Sequence, residues 1–165
     1  MDKLYMEYAD YLTGVCARYI SDEDEVKDVL QDSFIKIFTQ IHQFEYRGKD
    51  SLKAWITKVV INEALAHLRQ NKTFLVPIQE SDIVDCLDEE PEMENLGADI
   101  LFSFIQKLPP GYRAVFNLFV IEEKSHKEIA EILQIQPATS ASQFLRARKL
   151  LAEMIREYKH QMENR

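Results

Sequence analysis

Apolar residues recur at helical spacing along most of the chain, and no segment shows the two-residue alternation of a half-buried strand. Leu4, Tyr8, Tyr11, Val15, Tyr19 and Ile20 line one side of a first predicted helix. Ser21 then caps a second, whose opening carboxylates, Asp22 to Glu25, sit at the positive end of its dipole. Val26, Val29, Leu30, Ile37, Phe38 and Ile41 give this helix its apolar stripe, and Asp28, Gln31, Asp32, Phe34 and Lys36 occupy the other faces. A polar loop from Glu45 to Asp50 follows, with Gly48 as its flexible point, and Ser51 is placed to cap a third helix. Leu52, Trp55, Ile56, Val59, Val60, Ala64, Leu65 and Leu68 form its inner stripe, leaving Lys53, Lys58, Asn62, Arg69 and Lys72 for contact. The three-helix unit should end near Asn71.

Residues 73 to 98 lose the period, hold Pro77, Pro91 and Gly97, and read as a linker. A second helical unit starts near Asp99 and pauses at Leu108 to Gly111, where two prolines and a glycine force a turn. Tyr112, Val115, Phe116, Phe119 and Val120 make its next buried face. Ser125 and Glu128 then have capping-box spacing, so a helix begins at His126, and Ile129, Ala130, Ile132 and Leu133 follow at helical spacing. Pro137, suited to a first helical position, opens another helix with Gln136 as its cap. Ser140, Phe144, Ala147, Leu151, Met154 and Ile155 lie on one side of it, and Thr139, Ser142, Gln143, Arg146, Arg148 and Lys149 on the others. Two helices across a turn-length gap make a helix-turn-helix, and no acid interrupts Pro137 to Ala152. Such a helix is equipped for a DNA major groove: Arg and Gln pair with base edges, while Ser, Thr and Lys hold phosphates. The expected architecture is all-α, with helical domains over 1–72 and 99–165 joined by an acidic linker over 73–98.

A net charge of −8 over 165 residues argues at first against a nucleic-acid partner, but its distribution reverses that. Residues 1–72 hold 12 acids and 10 bases, 73–98 hold 8 acids and no base, and 99–165 hold 8 acids and 10 bases. All of the acidic excess outside small local imbalances therefore belongs to the linker, where it serves as a solvated tether or imitates a nucleic-acid backbone. No apolar run approaches a membrane span, and the acidic start is no signal peptide, so a cytoplasmic protein is expected. Cys16 and Cys86 show neither disulfide nor metal spacing, and Cys16 reads as a small core residue. His42, His67, His126 and His160 are scattered, with no nucleophile elbow and no Gly-rich phosphate loop. No enzyme, cofactor, bound metal or small-molecule substrate is expected.

Two separated segments resemble the extracytoplasmic-function sigma factors of bacterial RNA polymerase. Residues 24–44 with the loop 46–55 and the helix 56–72 look like the second conserved region of that family. LPPGYRAVF (108–116), SHKEIAEIL (125–133) and LRARKLL (145–151) look like the fourth. The resemblance implies a sigma factor that binds core RNA polymerase and directs promoter recognition and transcription initiation. It assigns Asp28, Gln31, Asp32 and Phe34 to the clamp helices of the polymerase largest subunit. It assigns Tyr46, Arg47, Lys49 and Ser51 of the loop, with Lys58, Asn62, Arg69 and Lys72, to the melted minus-ten strand. Thr139, Ser142, Gln143, Arg146 and Arg148 are assigned to the minus-thirty-five duplex. It also admits an anti-sigma factor as a partner. The chain departs from the family at Gln134, Gln136 and Ala138, where Gly, Ser and Gly are common, at Ala141, where a cation is, and at Ala66, where Asp is frequent. Gln134 should consequently adopt a left-handed backbone conformation. The rival readings are a helix-turn-helix regulator that does not engage polymerase, and a polymerase-binding decoy that does not start transcription.

Overall fold

A computed structural model describes residues 2–71 and 96–164, and residues 73–95 of the expected linker lie outside them. The chain divides into two compact units, Met1–Lys72 and Thr73–Arg165. Among the described residues, regular structure is helical throughout, as the periodicity predicts.

The first unit packs three helices mutually: α1 (Asp2–Ala17), α2 (Glu23–Gln40) and α3 (Ser51–Gln70), with a 3-10 turn at Ile41–Gln43 after α2. Leu12, Val15 and Cys16 of α1, the following Tyr19 and Ile20, Val29 and Ile37 of α2, and Ile56, Val60 and Ala64 of α3 fill the core. Each fully buried Leu or Ile there is worth about 1.5–3 kcal/mol of transfer free energy. Ser33 is also buried, and its hydroxyl donates to Val29 O at 2.6 Å, so the polar group carries no desolvation deficit. Burial pushes the Cys16 thiol up to about 12, in keeping with a core role. Two contacts tie α2 to α3 near the surface: Lys36 pairs with Glu63, and His67 Nε2 lies 3.4 Å from Glu25 Oε2.

The cap of α2 is Asp22, one residue beyond the Ser21 expected. Asp22 has extended backbone, and its carboxylate accepts from the Asp24 and Glu25 amides at 3.0 Å each. Ser51 does not cap α3 either. Asp50 precedes the helix with φ 66°, and Ser51 is already its first helical residue, so its hydroxyl turns back into the loop.

The second unit comprises α4 (Ala98–Lys107), α5 (Pro110–Val120), α6 (His126–Leu133) and α7 (Pro137–Glu163). Phe104, Ile105 and Leu108, with Tyr112 and Phe116 of α5, enclose Ala147, Leu151 and Ile155 of α7 in one apolar cluster. The expected break at Leu108 to Gly111 is shorter than that stretch: Leu108 and Pro109 separate the helices, and Pro110, which needs no N–H, and Gly111 already belong to α5. Both halves of the capping box form, with Glu128 N donating to Ser125 Oγ at 3.3 Å and Ser125 N to Glu128 Oε2 at 2.8 Å. These bonds, the backbone one first, hold the Glu128 carboxyl below the usual carboxylate range. Gln134 is left-handed, at φ 57° and ψ 45°, as expected. Glu123, at φ 52°, is a second such residue in this unit that the sequence did not announce.

Candidate nucleic-acid and polymerase-binding surfaces

On α2, Asp28, Gln31 and Asp32 are exposed and fall within one turn of each other, so they form one acidic and amide-bearing face. Phe34 does not join it. Its ring is 7% exposed and packs at 4.9 Å from the Tyr5 ring and 5.9 Å from that of Phe38, because α1 lies against this side of α2. It supports the face from beneath, a correction to its expected surface role.

On α3, Ser51, Lys58, Asn62 and Arg69 recur at intervals of seven, four and seven residues, which brings them onto one stripe of the helix. Lys58 and Asn62 are exposed, and Ser51 and Arg69 partly so. The loop before the helix is fixed at its far end. Ser51 Oγ donates to Gly48 O at 2.7 Å and accepts from Arg47 N at 3.3 Å, and Gly48 takes φ 110°, a conformation that side chains rarely adopt. Phe44, at the near end, packs 5.6 Å from the half-buried Trp55. Between these anchors Tyr46 is 76% exposed, and Arg47 and Lys49 are exposed with it, Arg47 reaching Glu45 at 3.0 Å. An exposed ring and four cations beside an amide can stack an unpaired base, hold its phosphate and hydrogen-bond its edge. Lys72, the last residue expected here, lies outside the described residues.

The helix-turn-helix departs furthest from expectation. Thr139 and Arg148 are partly exposed, but Ser142, Gln143 and Arg146 are buried, Gln143 to 1%. The reason lies in packing around the first half of α7, which both α5 and α6 flank. Gly111 at the start of α5 comes so close that a Cβ there would sit 3.4 Å from the Gln143 amide. Arg146 Nη1 donates to Tyr112 Oη at 3.3 Å, and Ser142 Oγ donates to Thr139 O at 3.0 Å. His126, at the first position of α6, stacks on Phe119 with centroids 4.7 Å apart. Its Nδ1 lies 2.9 Å from Ser140 Oγ of α7, and burial holds its pKa below the ordinary value. Hydroxyl, amide and guanidinium groups that a helical wheel assigns to solvent thus serve inside this unit.

Sequence reasoning passed over one exposed residue of α2. Ile35 lies one turn beyond Gln31 and Asp32 and two beyond Asp28, and its side chain is outside the core. The i, i+3, i+4, i+7 spacing was present in the sequence, but an isoleucine reads as core by default.

Comparison with known proteins matches two family models to separate stretches of the chain. The model of Sigma-70 region 2 matches residues 4–74, and that of Sigma-70, region 4 matches residues 98–151. The chain is 30% identical to the ECF RNA polymerase sigma-E factor of Haemophilus influenzae, over 92% of this chain and 85% of that one. It is 24% identical to the ECF RNA polymerase sigma factor SigM of Bacillus subtilis, over 92% of each. In fold it is similar to the sigma factor RpoE of Bartonella quintana, solved in complex with the anti-sigma factor NepR. That likeness has a TM-score of 0.52 at 20% identity and covers 94% of this chain and 96% of that one. The chain belongs to the extracytoplasmic-function sigma factors of bacterial RNA polymerase.

Proposed function

We propose that this sigma factor docks on core RNA polymerase through Asp28, Gln31 and Asp32 and captures the melted minus-ten strand with the loop 46–51 and the α3 stripe. The observation that carries the reading is the disposition of the first unit. One helix presents carboxylates and an amide, the next presents Lys58, Asn62 and Arg69, and a loop pinned by Ser51 holds Tyr46 out. Carboxylates suit an arginine-bearing helical partner, whereas cations with an aromatic ring suit single-stranded DNA.

The duplex contact is assigned to Thr139 and Arg148, the members of the expected set whose side chains are accessible. Arg146 acts through Tyr112, holding α5 against α7. The work is binding and positioning without chemistry of its own, carried out in the cytoplasm where polymerase is. An anti-sigma factor would compete for these surfaces. The rival reading of a regulator that ignores polymerase leaves the α2 face without a role.

Transcription in vitro with purified core polymerase on a promoter library tests the proposal. The chain should support initiation at a subset of promoters. Asn62→Ala should spare duplex binding and reduce permanganate reactivity of the melted bubble, while Arg148→Ala should weaken duplex binding and leave a pre-melted template usable. Equal bubble reactivity with and without Asn62 would show its strand-reading role to be wrong.

A further inference from the structure

The acidic face of α2 is not wholly polar. Ile35 is 55% exposed and stands at the centre of the arc formed by Asp28, Gln31 and Asp32. Along one edge of that arc runs an aromatic strip: Phe38 is partly exposed, Phe34 is buried, and Tyr5 of α1, its ring tilted against that of Phe34, is 52% exposed. Isolated exposed apolar side chains are ordinary on protein surfaces. Here they lie together on α2 and α1, within an arc whose own charges are the Asp28 and Asp32 carboxylates.

Both lysines of α2 stand at the borders of this face and are engaged by other carboxylates. Lys36 is drawn to Glu63 of α3, and Lys27 pairs with Asp24 at 2.9 Å in the first turn. Thr39, one turn beyond Ile35, satisfies its own hydroxyl on the Ile35 and Lys36 carbonyls at 2.9 and 3.1 Å. What the face offers a partner is therefore two carboxylates and an amide around an aliphatic centre, with an aromatic margin. Interfaces concentrate their affinity in such desolvated centres, ringed by polar contacts that exclude water.

We propose that Ile35, with the Tyr5 and Phe38 margin, is the apolar anchor of the polymerase-docking face, and that its partner is a cationic helical surface with an apolar groove between its Arg or Lys side chains. The inference rests on the docking function assigned above to Asp28, Gln31 and Asp32, and it adds α1 to that interface. The charges steer and orient the partner, and Ile35 and Tyr5 hold it once seated. The two contributions differ in their response to salt. Ion pairs at the rim weaken as the screening length shortens, and apolar burial does not.

The test measures equilibrium binding of the full chain to purified core polymerase at low and high salt, for the parent, Ile35→Ala, Tyr5→Ala and Asp32→Lys. Ile35→Ala removes side-chain carbons from a site already outside the core, so helicity and melting temperature should be unchanged. Val120→Ala, in the second unit, is the control: Val120 is 43% exposed, where its spacing predicts a buried residue. The expected result is a roughly tenfold loss of affinity for Ile35→Ala, similar at both salt concentrations, with a smaller loss for Tyr5→Ala and none for Val120→Ala. The loss for Asp32→Lys should be greatest at low salt. If Asp32→Lys weakens binding while Ile35→Ala and Tyr5→Ala match the parent, the anchor is refuted and the docking face stands. If none of the three differs from the parent, the docking face itself is misassigned. If Ile35→Ala instead shifts a monomer–dimer equilibrium of the free chain and leaves core affinity unchanged, the occupant is a second copy and the inference is likewise overturned.

Discussion

Replacing Gln134 by glycine should stabilise the second unit, and the expected size follows from one backbone angle. Gln134 ends α6 at φ 57° and ψ 45°. Its own N–H and that of Ile135 both point back to Ala130 O, the latter at 3.0 Å. A residue with a Cβ pays about 1–2 kcal/mol to sit in the left-handed region, and glycine pays nothing for the angle. Glycine in turn loses about 0.5–1 kcal/mol more chain entropy on folding. The balance for Gln134→Gly is a gain of about 0.5–1 kcal/mol. The gain leaves the bonds to Ala130 intact because both are made by backbone. In a unit of this size, 1 kcal/mol moves the thermal midpoint by about 4–8 °C. Calorimetry of the full chain should show the transition of the second unit rising by several degrees, with that of the first unit unchanged. Gln134→Val, which places a β-branched side chain at the same angle, should lower it. A midpoint that fell for Gln134→Gly, or rose for Gln134→Val, would refute the strain argument.

Three further outcomes follow from local chemistry. Ser125→Ala should cost about 1 kcal/mol of stability in the second unit, the usual price of a lost N-cap. The Glu128 carboxyl titrates lower when folded than when unfolded, so its stabilising effect is full above the ordinary value near 4.3 and disappears as pH falls through the folded value. The stability gap between parent and Glu128→Ala should accordingly be widest near neutrality and narrow in acid. A gap that widened on acidification would contradict the sign. Cys16, buried with its thiol pushed up to about 12, should react with iodoacetamide at pH 8 at least roughly a thousandfold more slowly in the native chain than in denaturant. Peptide mass spectrometry reads the labelling at Cys16, and equal native and denatured rates would place it outside the core.

Much of the fold was legible because it rests on interactions a few residues long. The capping box at Ser125, the proline starts at Pro110 and Pro137, and the left-handed Gln134 are each dictated within one helical turn. The cap at Ser21 was misplaced by one residue, since adjacent Ser and Asp are both competent caps, whereas at Ser51 no side chain caps α3: the preceding Asp50 is left-handed and makes no cap hydrogen bond. The site was less legible where tertiary packing decides exposure. The number of neighbours around the first half of α7 turned Gln143 and Arg146 inward, and the crossing of α1 buried Phe34. Residue type pointed the wrong way for Gln143 and Arg146, while Phe34 was placed outside by its helical face and the family resemblance. Ile35 is the converse case, an apolar residue left outside. The α3 stripe emerged intact because seven-residue spacing places side chains on one face regardless of what packs behind.

The Lys36–Glu63 and Glu25–His67 contacts have a mechanical consequence that their modest energies conceal. Partly exposed polar contacts of this kind add little to stability. They nevertheless bridge the same two helices at separate points along each. Sliding α2 along α3 by a single turn, about 5.4 Å, would break both at once while leaving a plausible apolar contact behind. They work as keys in a shaft, fixing the phase of one helix against the other. A push on the outer face of α2 is therefore passed to α3 through these contacts as well as through the shared core. Whatever seats the first helix also aims the second.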